Sequence, residues 1–250
     1  MTRVDIVTLF PGIFEGPLQA SILRRAQEKG LLTVGVHDLR TFTHDRHHVV
    51  DDVPYGGGSG MVLKPEPLFE AVEAFRRPGT QVVLLSPQGV RFDHAGAVRL
   101  VAEDHLILLC GRYEGFDERV RLHLAHQELS IGDYTLSGGE FAALVVLDAV
   151  TRLIPGVLGA EDSAEQDSFA SGLLDFPQYT RPPEFRGHRV PEVLLSGDHS
   201  RIQRWRRKEA IRRTLTRRPD LLACAPLSPE DHVLLAEIRA ELNLHTRRMN

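Results

Sequence analysis

Four short runs of β-branched and large aliphatic residues, each followed by a polar, glycine- or proline-containing turn, most constrain what this 250-residue chain can fold into. Val4 to Phe10 ends at Pro11-Gly12, and Leu31 to Leu39 runs out into a polar stretch. Gln81 to Leu85 ends at Ser86-Pro87-Gln88-Gly89, and His105 to Leu109 ends at Cys110-Gly111. Apolar runs this short read as buried strands. Between them lie segments with helical spacing: Pro17 to Lys29 with Gly30 as its stop, Glu66 to Arg77, and Asp93 to Glu103. Strands alternating with helices predict an α/β domain on a mainly parallel sheet. A further helical pattern, Gly139 to Leu153, is apolar at almost every turn, so it is expected to be buried.

The character changes after Pro155-Gly156. Ala160 to Gly172 carries the acids Glu161, Asp162, Glu165 and Asp167, no base and several small residues, which predicts a flexible linker. The expected organisation is therefore a domain over residues 1–159, an interdomain linker over 160–172, and a small, mainly helical domain over 173–250. Asp175 to Pro191 reads as irregular, and helices are expected over His199 to Thr216 and Pro229 to Leu242. Charge divides the same way. Residues 1–200 hold 18 Lys+Arg against 28 Asp+Glu, whereas residues 201–250 hold 12 against 6. Nine of those bases and one acid, Glu209, fall between Arg201 and Arg218. Ile202, Trp205, Ile211 and Leu215 are expected to form an apolar stripe there, with the bases on the remaining surface. A local excess that large exceeds what a solvated face needs and points to a polyanion. The apolar runs are too short to span a bilayer. MTRVDIVTLF lacks a secretory hydrophobic region, and Cys110 and Cys224 suggest no disulfide framework. A cytoplasmic protein without a membrane partner is expected.

Three loops, Ser86 to Gly89, Gly111 to Gly115 and Ile131 to Gly139, follow strand-like stretches. In an open α/β sheet, ligands bind beyond the carboxyl ends of strands, so together these loops predict a pocket for a small polar cofactor. No Gly-x-Gly-x-x-Gly follows the first strand, which disfavours a nucleotide-dependent oxidoreductase. Val50 to Gly60 holds four glycines in five positions after Asp51 and Asp52 and lacks the Lys-Ser/Thr of a Walker loop. It reads either as a surface loop or as one that contacts a base, because carboxylates accept hydrogen bonds from guanine's N1–H and amino group. His44-Asp45-Arg46-His47-His48 raises the idea of a metal, but no helix pattern aligns the histidines and no further Cys/His pairs accompany them.

FTHDRH (Phe42 to His47), VDDVPYGGGSGM, LSPQG, CGRYEG-x-DERV, SIGDYTLSGGE, RLIPGVLG, DSF and LLSGDH, in this order, resemble the bacterial tRNA (guanine-N1)-methyltransferase family, TrmD. The likeness covers nearly the whole chain. It implies a SPOUT-type parallel sheet with a deep trefoil knot, a homodimer with shared active sites, and methyl transfer from S-adenosylmethionine to N1 of guanosine-37, beside the tRNA anticodon. It assigns the cofactor pocket to Leu85, Ser86, Pro87, Gly111, Tyr113, Glu114, Ile131, Gly132, Asp133, Tyr134, Thr135, Leu136, Gly138 and Gly139. Asp51, Asp52, Tyr55, Gly57 and Gly58 would face the base, with Arg204, Arg207 and Lys208 gripping the tRNA anticodon stem-loop. It makes Asp167 the general base and Arg152 its electrophilic partner. Where some relatives carry a second acid, this chain has Gln166, which leaves Asp167 as the carboxylate there and Glu165 as a fallback. The residue types suit the chemistry: a carboxylate can remove the N1 proton, and a guanidinium can stabilise charge building on O6. Magnesium dependence is also implied, with Glu114 and Asp167 as neighbours of the ion. The competing reading is a catalytically silent RNA-binding protein with an inert α/β body.

Overall fold

The computed structural model describes residues 2–158 and 167–249, and the chain divides into two compact units, residues 1–161 and 162–250. The expected linker residues 160–166, with Glu165 and Gln166, lie outside the described residues.

In the first unit, strands β1 (Thr2–Thr8), β2 (Leu32–Asp38), β3 (Gln81–Arg91), β4 (His105–Cys110) and β5 (Gln127–Ser130) form one sheet in the order β2-β1-β4-β3-β5. Every pair is parallel. The helices are α1 (Ser21–Glu28), α2 (Pro65–Phe75), α3 (His94–Val101), α4 (Glu118–His123) and α5 (Glu140–Leu153). Alternate strand residues serve opposite faces. Val4, Ile6, Val83, Leu106 and Leu108 pack with Leu23, Leu100, Ala143 and Val146, on helices α1, α3 and α5. Val7, Val82, Leu84, Ile107 and Leu109 pack with Leu68 and Val72 of α2 and with Val120 of α4. Burial on both faces is why these strands read as unbroken apolar runs.

Strand β3 does not end at Leu85 as expected. Val83 to Leu85 pair with Gln127 to Leu129, and then Val90 and Arg91 pair with Leu129 and Ser130. Ser86 to Gly89 are thus extruded while the strand continues. Pro87 has no N–H for the ladder. At Gly89 an added Cβ would meet the Leu129 backbone at 2.5 Å. The expected Pro17–Lys29 helix is also divided: a turn at Glu15–Leu18 precedes α1, because Ala20 is extended (φ −117°, ψ 151°).

One carboxylate, Asp5, is wholly buried in the sheet. Arg3 Nε donates to it at 2.6 Å, and the Nε2 atoms of His37 and His105 each lie 2.8 Å from it. Burial opposes its ionisation, but these three partners outweigh burial and hold its pKa well below the usual carboxylate range. Because a carboxylate only accepts, His105 donates from Nε2, and its Nδ1 takes the Thr80 hydroxyl at 2.7 Å. Burial pushes the His105 pKa down, so the ring is neutral.

The second unit contains α6 (His199–Arg217), α7 (Pro219–Cys224) and α8 (Pro229–Met249) around Leu173, Ala210, Ile211, Leu222, Leu234 and Ile238. Ser228 and Asp231 exchange hydrogen bonds (Ser228 N to Asp231 Oδ2, 2.9 Å; Asp231 N to Ser228 Oγ, 3.2 Å), a capping box at the start of α8. The stripe expected on α6 is displaced. Ile211 is buried and Leu215 packs on the core, but Ile202 and Trp205 are only half-buried, and Ala210 and Thr214 take the inward positions. The segment expected to be irregular contains a two-stranded hairpin, Glu184–Phe185 with His188–Arg189. Positive φ at Arg186 (51°) and Gly187 (80°) is the pattern of a type I′ turn.

Candidate functional site

A cavity of about 330 Å³ opens in the first unit beside the extruded segment of β3 and beyond the carboxyl ends of β4 and β5. Leu85, Ser86, Pro87, Gly111, Tyr113, Glu114, Ile131, Gly132, Tyr134, Thr135, Leu136, Gly138 and Gly139 line it. Asp133, in the same loop, is not part of the lining. Gln88, Arg112 and Ser137, within the three expected loops but outside the assigned cofactor set, also line the cavity, as do Glu118, Arg121, Glu128 and Ala142, which lie outside those loops and were not among the expected residues. The flanking glycines mark the neighbourhood of Arg112 and Ser137, but nothing in spacing alone distinguishes those two side chains.

The loops are stitched together by their backbones. Gly139 N donates to Gly111 O at 2.8 Å, and Arg112 and Gly138 form an antiparallel bridge. A Cβ at Gly139 would sit 2.8 Å from Cys110 Cα and 2.9 Å from Gly111 N, a contact that backbone cannot yield to. Arg112 secures the crossing: its Nη1 donates to Ser137 O at 2.9 Å, and its guanidinium lies 4.2 Å from the Phe10 ring centroid. The buried Glu140 completes it. Thr8 Oγ1 donates to Glu140 Oε1 at 2.8 Å, while Oε2 lies 3.2 Å from Arg112 Nη2 as an ion pair without an aligned hydrogen bond. The wall is rich in backbone groups and carries charge of both signs: Arg112, matched from beneath by Glu140, and Arg121 stand with Glu114, Glu118 and Glu128.

The glycine-rich loop is fastened to this rim. Asp51–Asp52 pair antiparallel with Val62–Leu63. Glu114 N donates to Met61 O at 3.0 Å, and Leu63 N to Gly115 O at 2.9 Å. Tyr113 has positive φ (58°), and burial together with the neighbouring Asp51 carboxylate raises its phenol pKa. Asp52 and Tyr55 are exposed, and Gly57 and Gly58 have φ of 82° and 129°. Arg152 is exposed in the last turn of α5. Asp167 is exposed in the second unit, where Ala170 N donates to its carbonyl at 3.3 Å.

The three expected tRNA-gripping bases are committed to acids of α8. Arg207 makes a two-pronged pair with Asp231 (2.7 and 2.8 Å), Arg204 reaches Glu237 at 2.6 Å, and Lys208 reaches Glu237 at 2.7 Å and Glu241 at 2.8 Å. Chiefly the Arg207 hydrogen bond depresses the Asp231 pKa to about 2. One sequence signal announces this seam: bases at 204, 208 and 212 and acids at 237 and 241 both repeat every four residues, which places each set on one helix face.

His44 to His48 forms a turn, not a metal constellation. Asp45 accepts from His47 N and Val49 N, and His44 Nε2 lies 2.8 Å from Glu70. Among the described residues no group of three or more His, Cys, Asp or Glu is placed to hold a metal ion.

The family described as tRNA (Guanine-1)-methyltransferase TrmD matches residues 2–224. A tRNA (guanine-N(1)-)-methyltransferase of Dehalococcoides mccartyi is 59% identical over 244 residues, covering 96% of this chain and 98% of that protein. Proteins of the same name from Dictyoglomus turgidum and Geobacillus kaustophilus are each 55% identical, covering 97% and 96% of this chain and 98% and 99% of theirs.

Proposed function

Since the chain belongs to the tRNA (guanine-1)-methyltransferase TrmD family, we propose that it methylates N1 of guanosine-37 in tRNA, with S-adenosylmethionine as donor. The observation that carries this reading is the glycine-lined cavity formed by the extruded Ser86–Gly89 segment of β3 and the loops beyond the carboxyl ends of β4 and β5. When bound, S-adenosylmethionine supplies an electrophilic methyl group on a sulfonium. The residues present fit it: Gly111 and Gly139 let the lining loops cross closely enough to shape the cavity, Ile131 and Leu136 offer apolar contact, and Glu114 supplies a carboxylate toward positive charge.

Guanine N1 carries a proton at neutral pH and is a poor nucleophile. In this proposal Asp167 accepts that proton as the methyl arrives, and Arg152 donates to O6, where the negative charge develops. Asp51, Asp52, Tyr55, Gly57 and Gly58 form the loop that holds the base at the rim. The loop's backbone ties to Gly115 and Glu114 support this, because they couple the place of the base to the place of the donor. Alignment of donor and acceptor then supplies much of the rate.

The family membership and the extruded Ser86–Gly89 turn support a knotted SPOUT sheet, and the same membership supports a homodimer with shared sites. A domain over 1–159 would carry the donor, and residues 173–250, joined to it by a 160–172 linker, would carry much of the tRNA. A tRNA substrate favours the cytoplasm. The silent RNA-binding alternative is disfavoured by the intact cavity. Asp167→Ala should lower single-turnover methyl transfer at least 1,000-fold while donor affinity stays within about twofold. Substantial residual transfer would move the base to Glu165 or Asp52.

A further inference from the structure

Half of the eight Lys and Arg residues of α6 (Arg204, Arg207, Lys208 and Arg212) pair with acids of α8, and a second group of cations in this unit lies outside that helix. Residues 178–189 are all exposed and nevertheless ordered, closing on the 184–189 hairpin. From Tyr179 to Arg189 this ribbon holds Arg181, Arg186 and Arg189 against a single acid, Glu184, with His188 between them. Phe185 is 61% exposed, and the Arg186 guanidinium sits 5.2 Å from its ring centroid. Tyr179 is half exposed, 6.4 Å from the Trp205 ring. We propose that this hairpin is an RNA-contacting surface: an unstacked base of the tRNA lies on Phe185, while Arg186 and Arg189 take flanking phosphates.

Burial of the partner sets Arg207 apart from the hairpin cations. Asp231, which holds Arg207, has a side chain only 5% exposed, so a phosphate would have to leave a buried carboxylate unpaired. Glu184, which holds Arg189, is 49% exposed, and Arg189 itself is 79% exposed. A solvated pair of this kind is held by little, and phosphate can replace it. Arginine beside an aromatic ring is also the combination that suits single-stranded RNA, since every base has a face to stack and every nucleotide a phosphate. The paired strands and the turn at Arg186–Gly187 present these side chains together on one exposed ribbon.

This inference rests on the tRNA reading above, and the test separates the two. tRNA affinity is measured across a salt series for the full chain, for Phe185→Ala, and for Arg186→Ala combined with Arg189→Ala. Thermal melts and S-adenosylmethionine titrations accompany each. Phe185→Ala is expected to weaken tRNA binding about tenfold at all salt concentrations. The double arginine variant is expected to lower the slope of log affinity against log salt by about 1.5. Donor affinity and melting temperature should stay unchanged in both, as these side chains are solvated. Phe185→Tyr should keep wild-type affinity. If the wild-type chain binds tRNA while both variants bind within twofold of it and keep its salt slope, the hairpin proposal is overturned and the function stands. If the wild-type chain neither binds nor methylates tRNA, both readings are overturned.

Discussion

The glycine-lined cavity of the first unit and the α6–α8 seam of the second are built in opposite ways. The cavity is assembled from turns, and its loops are joined through backbone atoms such as Gly139 N and Gly111 O. The seam is assembled from charged side chains matched across two helices. The Ser137–Gly139 turn is tightly constrained by the backbone it crosses. A run of bases that reads as an open binding face proves about half matched by internal acids. What matters for function is not the residue type but whether its partner is already inside the molecule.

The sharpest way to break this comparison is Gly139→Val. The added side chain meets the Cys110 and Gly111 backbone, so donor affinity should fall more than 100-fold by isothermal titration while the second unit and its tRNA affinity are unaffected. Near-normal donor binding would mean that the loop crossing is soft. The next effect belongs to the seam. Arg207→Ala leaves Asp231 nearly buried without its two-pronged partner and should cost about 2 kcal/mol in urea unfolding, less than a fully buried pair because Arg207 is a third exposed. Trp205, the only tryptophan, reports this unfolding directly. Donor binding should not change.

Acidification should separate the units by pH window. His105 is buried neutral with a lowered pKa, so its contribution is complete above about pH 6.5 and is lost as pH falls toward its folded value. Asp5 and Asp231 have lowered pKa values, so their contributions are complete above about pH 4 and are lost below it. Hydrogen exchange should therefore show strands β1 and β4 loosening below about pH 6.5, with α6 and α8 holding until about pH 4. A simultaneous onset would contradict this assignment. The smallest effect is expected for Arg204→Ala. Both Arg204 and Glu237 are substantially exposed, so the melting temperature should not move measurably.

Much of the first unit is legible in the sequence because burial on both sheet faces leaves uninterrupted apolar runs between turn residues. The cofactor loops are legible because glycine and proline mark where backbone must bend or approach closely. The Arg112–Glu140 pair is not legible: its members are 28 residues apart and meet only once the Gly111 and Gly139 turns are stitched together. The continuation of β3 past Pro87 is hidden for a related reason, since a turn signal ends a strand unless the neighbouring strand resumes pairing beyond it. The fate of the α6 bases depended on reading α8 at the same time. Asp231 shows its double role, as cap and counter-ion, only in the packed pair with Arg207.

Primer extension on an unmodified tRNA transcript tests the central claim most directly. Incubated with the protein and S-adenosylmethionine, the transcript should acquire a reverse-transcription stop at guanosine-37, because a methyl group on N1 blocks pairing. The stop should be absent when either component is omitted or when guanosine-37 is replaced by adenosine. A methylated transcript with no stop at that position, or no methyl transfer at all by well-folded protein, would contradict the account.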